Sequence, residues 1–440
     1  MRKRNFAAAA GVVIGALLLA GCSGGGASSD DAKVNTDPDG KGKTLTLWHY
    51  EGADSAMGKA WDEAITEFES ETGAKVKFEE KAFEAIRSTA SQVLNSDSAP
   101  DILEYNKGNA TAGLLSSQGL LSNLDNAVKA YGWDDKLASS LQTTAKYNED
   151  GVMGSGHFYG IPNYGEFVDV YYNKDMFAKY DIAVPTTFEE FEAALKTFKD
   201  AGITPLAESA AEYPLGQLWY QLALSKATRQ WVTDYQTYTG TVDFHDEDFT
   251  FATETIADWV DKGYISKSAT GLKAEDAGVS FIKGDAPIFY SGSWWYGRFA
   301  SEIKNFDWST FLFPGSDMAP GSSGNLWVVP ENSENKDLAY KFIDITMSPK
   351  IQAIIGNNGG IPVAAEESDI TDAKSKELIA NFTTLTDRDG LAFYPDWPTP
   401  TFYDQLNAGL QELVNGTKSP DEVLDQLGTD YQDGVDDIVG

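Results

Sequence analysis

At 440 residues the chain is longer than one hydrophobic core usually supports, so two lobes are expected. With 42% hydrophobic and 12% aromatic residues it has the composition of a globular protein and not of a disordered one. Its formal net charge of -33 argues against a nucleic-acid partner and against binding to an anionic membrane surface.

The N-terminal segment, residues 1–21, has the pattern of a bacterial signal peptide. A basic start at 2–4 (Arg-Lys-Arg) precedes an apolar stretch at 6–19 that is too short to span a bilayer as a mature helix. The sequence Leu-Ala-Gly-Cys that ends at Cys22 resembles the lipobox, in which the cysteine is acylated and becomes the new N-terminus. Because Cys22 is the only cysteine, an internal disulfide is excluded. We expect a lipid anchor on Cys22 and a flexible, Gly/Ser-rich tether over 22–43.

The first part of the folded chain shows strands alternating with helices, which is typical of βαβ units and a mostly parallel sheet. The first helix should begin after Asp54 or Ser55 and end before Gly73. The predicted elements are a strand at 45–50, a helix with Ala60, Trp61, Ala64, Ile65 and Phe68 on one face, a strand at 75–78, a helix at 85–94 and a strand at 102–105.

The second part continues the alternation and is richer in aromatic residues. Thr187 and Glu190 have the spacing of a capping box at the start of one helix. The predicted elements are a strand at 168–172, helices from 173 and from 187 to 199, a mainly helical region at 213–262, strands at 286–290, 311–315 and 324–330, a helix at 335–346, and loops at 357–362 and 393–398.

The stretch 281–299 combines a short apolar strand, small residues and then three large rings at Trp294, Trp295 and Tyr296. Ligands of open α/β sheets bind at the carboxyl ends of strands. We interpret this stretch as half of a sugar-binding cleft. The alternative is that the rings belong to the core, since Trp and Tyr bury large areas in any context.

Polar loops follow two other predicted strands. His49, Tyr50 and Glu51 come after the first strand, and Asn106 and Asn109 come after the strand at 102–105. Amides both donate and accept hydrogen bonds, which suits them to sugar hydroxyls. Each loop could instead cap the helix that follows it.

Several motifs occur in an order that resembles the extracellular solute-binding proteins of ABC sugar importers, the group that contains maltose-binding protein. The resemblance extends over the chain from Thr44 onward. The motifs are the lipobox, 159–162 (Tyr-Gly-Ile-Pro) followed by 171–175 (Tyr-Tyr-Asn-Lys-Asp), 185–190 (Pro-Thr-Thr-Phe-Glu-Glu), the strand ending in 292–294 (Gly-Ser-Trp), and 335–339 (Asn-Lys-Asp-Leu-Ala).

The resemblance implies a two-lobe α/β fold of the periplasmic-binding-protein type, with discontinuous lobes joined by hinge strands around a cleft. Lobe one would be 44–163 plus 314–390, and lobe two 164–313 plus 391–440. It further implies a sugar ligand, permease transmembrane subunits as partners and a monomer. The tandem Trp294 and Trp295 and the aromatic loop at 393–398 favour an oligosaccharide over a monosaccharide. From the lipobox we expect a lipid-anchored place on the outer face of a cell membrane, in a Gram-positive envelope rather than a periplasm.

The resemblance also indicates which residues bind the ligand. The tandem Trp294 and Trp295 differ from maltose-binding protein, so maltose is not implied, and either ring of the pair could face the ligand. The implied ligand-binding residues are His49, Tyr50, Glu51, Asn106, Asn109, Tyr164, Glu166, Tyr290, Trp294, Trp295, Asn325, Phe393, Tyr394, Asp396 and Trp397.

Other functions have weaker support in the sequence. A secreted glycoside hydrolase needs a carboxylate pair at a defined separation, and 67 acidic residues supply such pairs by chance. The three histidines lie in no nucleophile-elbow context and in no H-E-x-x-H zinc motif. A lipoprotein that binds another solute, such as a peptide, would share the anchor but would not need rings at strand ends. We therefore expect a protein that is not an enzyme and has no metal or cofactor.

Overall fold

The structure, a computed structural model, describes residues 33–365 and 367–440. Within them, Val34–Gly440 form one unit of mutually contacting residues. The predicted signal peptide and Cys22 lie outside the described residues. None of the helices in the described part of the chain has the length and hydrophobicity needed to cross a bilayer.

The strands fall into two main sheets and one small hairpin. They are β1 Thr44–His49, β2 Lys75–Glu80, β3 Ile102–Tyr105, β4 Lys146–Tyr147, β5 His157–Phe158, β6 Ile161–Pro162, β7 Gly165–Asn173, β8 Leu206–Ala207, β9 Ile288–Gly292, β10 Trp308–Phe311, β11 Gly321–Ser323 and β12 Leu326–Val328.

Helices connect and cover these strands. They are α1 Ala56–Thr72, α2 Phe83–Leu94, α3 Leu114–Ser117, α4 Asp125–Tyr131, α5 Trp133–Lys136, α6 Ser139–Gln142, α7 Lys174–Lys179, α8 Phe188–Asp200, α9 Pro214–Leu224, α10 Arg229–Thr237, α11 Glu247–Asp261, α12 Ala274–Lys283, α13 Tyr296–Glu302, α14 Lys336–Thr346, α15 Pro349–Asn357, α16 Ala373–Asp387, α17 Phe402–Asn415 and α18 Pro420–Val439. A π-helical turn at Asn109–Gly113 leads into α3.

The two main sheets differ in strand direction. The first has the order β2-β1-β3-β12-β6, in which β2, β1 and β3 run parallel and β12 runs antiparallel to both of its neighbours. The second has the order β10-β7-β9-β8, with β11 also paired to β7, and only β8 and β9 are parallel. The mostly parallel sheet predicted from the first part of the chain therefore fits β2-β1-β3. The second sheet is mostly antiparallel, because β7 lies between antiparallel partners.

Two short segments cross between the sheets side by side. Asn163 and Tyr164 connect β6 of the first sheet to β7 of the second, and Gly324 and Asn325 connect β11 to β12. The segments are packed closely, since a Cβ at Gly324 would lie 2.6 Å from the Tyr164 ring. The crossing thus fixes Tyr164 and Asn325 at the boundary between the sheets, which is where the candidate site lies.

Local capping explains several helix boundaries. Ser55 accepts a hydrogen bond from the Gly58 amide at 2.9 Å, and Gly73 ends α1 with a φ of 71°, so both predicted limits of this helix are confirmed. Thr187 caps α8 by accepting from the amide of Glu190. The Glu190 carboxylate accepts from the amide and the hydroxyl of Thr186, each at 2.8 Å, and the Thr187 amide is a further donor that lowers the pKa of Glu190.

Two predicted strands have different limits in the structure. The strand predicted at 286–290 is β9, which runs on to Gly292 because Ser291 and Gly292 pair with β7. The prediction of a strand at 311–315 is wrong, since β10 ends at Phe311. Pro314 has no N–H with which to extend a ladder.

Helix α16 contacts the second sheet. Its residues Leu378 and Phe382 belong to the same buried cluster as Phe167 of β7, and Asn381 donates to the buried Asp169 at 3.1 Å. This helix falls within the 314–390 segment assigned above to lobe one. The lobe boundaries remain a prediction.

Candidate functional site

A cavity of about 210 Å³ lies at the crossing of the two sheets. A single buried water needs only roughly 10–15 Å³, so the space is large enough for a small ligand. Ten of the predicted site residues line it: Tyr50, Glu51, Asn106, Tyr164, Glu166, Trp294, Asn325, Tyr394, Asp396 and Trp397. The remaining lining residues, which the sequence analysis missed, are Phe83, Lys107, Tyr213, Gln217 and Tyr403.

Sheet topology brings the first group of these side chains together. β1 and β3 are parallel neighbours, so their carboxyl ends meet at one edge. Tyr50 and Glu51 follow β1 there, and Asn106 and Lys107 follow β3. Glu51 is held in place by the hydroxyl of Ser55, which lies 3.3 Å from its Oε2 atom and also caps α1.

A buried polar network joins the strand ends to the crossing segments. Lys107 Nζ forms an ion pair with Glu166 Oε1, and the two side chains are only 2% and 5% exposed. The same ammonium lies 3.4 Å from Asn325 Oδ1. The Tyr164 hydroxyl is 3.1 Å from Glu166 Oε2 and 3.4 Å from Glu51 Oε1, and it accepts from Asn325 Nδ2 at 2.8 Å. Donors and acceptors are therefore held in fixed positions by one another.

Aromatic rings form another wall. The ring centroids of Trp294 and Tyr394 are 6.4 Å apart, and those of Tyr394 and Trp397 are 5.2 Å apart. The Lys107 ammonium lies 5.3 Å from the Tyr394 centroid and 5.4 Å from that of Trp397, within the range of a cation–π contact. The cavity thus combines flat apolar surfaces with charged and amide groups.

The tandem tryptophans have different environments. Trp294 lines the cavity and donates from Nε1 to the Tyr213 hydroxyl at 3.2 Å. Trp295 is 6% exposed and packs against α12, where a Cβ at Gly278 would lie 2.3 Å from its ring. It also stacks on Phe299 with centroids 5.5 Å apart. Trp294 is therefore the ring of the pair that faces the cavity, and Trp295 is a core residue.

Four other predicted site residues also lie away from the cavity lining: His49, Tyr290, Phe393 and Asn109. His49 stacks on Phe78 at 4.1 Å, and burial lowers its pKa to about 3. Tyr290 is buried and donates to Gln221 at 2.9 Å. Phe393 packs beneath the Arg229 guanidinium, 5.4 Å from the ring centroid.

Asn109 has a structural role in this conformation. Its Oδ1 atom accepts from the Met153 amide at 2.9 Å, and its Nδ2 atom donates to the Gln236 carbonyl at 2.8 Å. Next to it, the Ala110 amide donates to the Trp397 carbonyl at 2.9 Å. These bonds connect the loop after β3 to α10 and to the aromatic loop, so Asn109 holds the wall of the cavity together.

The residues that the sequence analysis missed differ in how well they could have been found. Lys107 adjoins Asn106 in a loop already identified, so its position in the sequence was a sufficient signal. Phe83 and Tyr403 lie in the first turns of α2 and α17, 320 positions apart, and no sequence pattern links them. Tyr213 and Gln217 belong to the region 213–262, for which the sequence predicted only a mainly helical structure.

Burial raises the pKa values of several carboxyl groups at the site. The pKa of Glu51 rises to about 7, first because the group is buried and then because Glu166 is negatively charged. Burial likewise raises the pKa of Asp396 to about 6. Behind the cavity, burial and the charge of Glu51 raise the pKa of Glu104 well above its usual value. Near neutral pH, Glu51 therefore exists in both protonation states and is able to donate as well as accept a hydrogen bond.

This shift predicts a pH-dependent contribution of Glu51 to stability. The folded protein retains a proton that the unfolded chain releases near its ordinary pKa of 4.5, so the stabilisation is complete below that value and is lost as the pH rises through about 7. Between pH 5 and pH 8 the free energy of unfolding of the wild type should fall. In Glu51→Gln, which cannot ionise, we expect that fall to be smaller by about 1–3 kcal/mol. Urea unfolding at both pH values measures the difference.

The matched control for this experiment is Glu334→Gln, which alters an exposed carboxylate. It should keep the pH profile of the wild type. Parallel profiles for the wild type and Glu51→Gln would contradict the prediction.

A cavity between two lobes of α/β structure, lined by rings and hydrogen-bonding groups, defines a solute-binding protein. Residues 52–353 match the bacterial extracellular solute-binding proteins, and the chain belongs to that family. The resemblance inferred from the motifs is therefore confirmed. Members of this family are binding proteins rather than enzymes. In the described residues, no group of three or more His, Cys, Asp or Glu side chains is arranged to hold a metal ion.

Individual relatives agree with this assignment. The chain is 27% identical over 377 residues to the diacetylchitobiose binding protein DasA of Streptomyces coelicolor, with 82% of each chain covered. It is 24% identical over 393 residues to a maltooligosaccharide ABC transporter solute-binding lipoprotein of Streptococcus pneumoniae, with 83% of this chain and 82% of the relative covered.

A solved structure has the same fold. It comes from a study of xylan utilisation by the thermophilic bacterium Caldanaerobius polysaccharolyticus and superposes with a TM-score of 0.78 at 23% identity. The match covers 88% of this chain and 99% of that one. The predicted two-lobe α/β fold is thereby confirmed.

Proposed function

We propose that this protein is the substrate-binding component of an ABC importer that captures an uncharged oligosaccharide in the cavity and delivers it to the membrane permease. The observation that carries the proposal is the cavity itself, in which the rings of Trp294, Tyr394 and Trp397 adjoin the network around Lys107 and Glu166. The names of the two relatives, which refer to diacetylchitobiose and to maltooligosaccharides, support a carbohydrate ligand.

Sugar chemistry matches both parts of the cavity. A pyranose has faces of C–H groups, which flat rings cover, and a belt of hydroxyls, which need hydrogen-bonding partners. The Tyr50 hydroxyl and Gln217 Oε1 are among the lining atoms that are buried without a hydrogen-bond partner among the described residues. An unpaired buried polar group costs about 1–3 kcal/mol, so a ligand hydroxyl at either atom would remove that cost. Polar residues would then set specificity, and rings would supply much of the affinity.

Lobe closure is the proposed mechanism of capture. A hinge motion at the paired crossing segments would bring Trp294 and Tyr394 toward the strand ends that carry Glu51 and Lys107. The bonds from Asn109 to Gln236 and from Ala110 to Trp397 join opposite sides of the cavity, which supports a closed state as the conformation seen here. The permease would recognise the closed shape.

The N-terminal pattern supports an anchored protein. We propose acylation at Cys22, a tether that runs from there to Val34, where the folded unit begins, and a monomer on the outer face of a Gram-positive membrane. The flexible tether would let the binding domain reach the permease without being embedded in the bilayer.

Calorimetry with a panel of oligosaccharides tests the proposal. The panel contains malto-, isomalto-, xylo- and N-acetylchito-oligosaccharides of two to five residues, together with a mixture of short peptides, and each incubation is followed by chromatography of the products. Saturable binding of a sugar without turnover is the expected result. Appearance of shorter sugars would indicate a glycoside hydrolase instead, and binding of peptides alone would indicate the other class of lipoprotein.

A further inference from the structure

A second cavity opens beside the candidate site, between α2, α17 and the segments that precede α9 and α12, which contribute Glu212 and Lys273. We call it the outer groove; it has a volume of about 300 Å³ and its lining includes Glu84, Arg87, Tyr403, Asp404, Asn407 and Gln411. Tyr403 lines both the outer groove and the main cavity. On the opposite side, Phe83 lines the main cavity and its neighbour Glu84 lines the groove. The two spaces are therefore adjacent and share one wall.

Helix geometry explains why polar groups face this groove. Asp404, Asn407 and Gln411 are spaced by three and four positions, so they lie along one face of α17. Glu84 and Arg87 are three positions apart and lie together on α2. Each helix thus contributes polar side chains to the groove.

A set of direct contacts holds the two helices at a fixed separation. The Tyr403 hydroxyl donates to Glu84 Oε1 at 2.5 Å, and Arg87 Nη2 pairs with Asp404 Oδ1 at 2.9 Å. Arg87 Nε also pairs with Glu84 Oε2 at 3.0 Å, and the Arg87 guanidinium lies 4.2 Å from the centroid of the Tyr403 ring. Because α2 connects β2 to β3 of the first sheet and α17 packs on α9, these bonds set the width of the groove in this conformation.

Hydrogen-bonding capacity remains unused in the groove. The guanidinium of Arg87 has five N–H donors, of which the two ion pairs occupy only part. The Asn407 amide has no hydrogen-bond partner among the described residues, and Gln411 uses only its Nε2 atom, which donates to the Ala210 carbonyl at 2.9 Å. Donors and acceptors of this kind, at a partly open position, suit the hydroxyls of a sugar that remains in contact with water.

We infer that the outer groove is a second carbohydrate subsite, which holds the end of an oligosaccharide that extends past Tyr403 out of the main cavity. This inference rests on the proposed function, because it requires that the main cavity binds the same chain. Glu84, Arg87, Asp404 and Asn407 bind the protruding sugar through its hydroxyls. The groove increases the affinity for ligands long enough to reach it. The shortest ligand that binds contacts the main cavity alone.

The test measures affinity against ligand length, using every homologous series of the calorimetric panel that binds. For the wild type we expect the dissociation constant to fall at least about threefold when one sugar residue is added beyond the shortest ligand that binds. Asn407→Trp fills the groove and should abolish this gain while leaving the affinity for the shortest ligand unchanged. Asn407→Ala, which adds no bulk, should reduce the gain.

The matched control is Asn415→Trp, which places the same ring at the exposed far end of α17. It should keep the full gain with length, and thermal unfolding should show that all three variants remain folded. A wild-type affinity that does not change with length, a gain that persists in Asn407→Trp, or an equal loss for ligands of every length in that variant would overturn the inference and leave the proposed function standing. Failure of every sugar in the panel to bind would overturn both.

Discussion

Trp294→Ala is expected to weaken oligosaccharide binding at least ~10-fold, which corresponds to about 1.4 kcal/mol of binding free energy. The indole lies on the cavity wall beside Tyr394, where it would cover a C–H face of a sugar ring. In the wild type the indole N–H donates to the Tyr213 hydroxyl. Removal of the indole takes away its contact with the sugar and leaves this hydroxyl without that donor. Calorimetry with the best ligand of the panel measures the change.

The neighbouring tryptophan is the matched control. Trp295 is buried between α12 and Phe299, so Trp295→Ala should lower the free energy of unfolding by about 3–5 kcal/mol. Protein that remains folded should bind the ligand nearly as well as the wild type. One substitution thus affects binding and the other affects stability, although the residues are adjacent. An unchanged affinity in Trp294→Ala would exclude this wall from the binding site.

Lys107→Met is expected to destabilise the fold by about 3–5 kcal/mol. Lys107 and Glu166 form a buried ion pair, and removal of one partner leaves the other charge uncompensated in a region of low dielectric constant. Methionine retains much of the apolar volume of the lysine side chain, so the loss reflects the charge more than packing. Chemical denaturation measures the free energy of unfolding.

A double substitution separates these effects. Lys107→Met combined with Glu166→Gln removes both charges and keeps a group that is able to accept from the Tyr164 hydroxyl. We expect it to recover most of the lost stability while oligosaccharide binding stays weak, because the ammonium and carboxylate no longer face the ligand. A single variant as stable as the wild type would show that the pair contributes nothing to the fold.

Local sequence patterns predicted the elements of this fold well. Ser55 and Gly73 marked both ends of α1, and the strand predicted at 102–105 matched β3 residue for residue. Caps and short apolar runs act over a few neighbouring residues, so they can be read without knowledge of the rest of the chain. Strand direction in the second sheet could not be read in this way, because it depends on which distant segments pair with β7.

The candidate site was predicted only in part, because the sequence shows where strands end but not which way each side chain points. Loops that follow strands were predicted as the source of Tyr50, Glu51 and Asn106, since strand ends are visible in the sequence, and all three residues line the cavity. The orientation of individual side chains was not predicted. His49 and Trp295 point into packed regions, although each adjoins a residue that lines the cavity. Adjacent side chains in extended or helical segments point in different directions, so proximity in sequence does not establish proximity to a ligand.

The sequence by itself determined the family of this protein, the alternation of strands and helices, and the kinds of side chain at the strand ends. Those features depend on motifs and on short-range physical chemistry. Only the tertiary structure decided that Trp294 rather than Trp295 lines the cavity, that Lys107 pairs with Glu166, and that Tyr403 forms one side of the cavity. These contacts join segments separated by tens to hundreds of residues, and packing of the whole chain, not local preference, selects them.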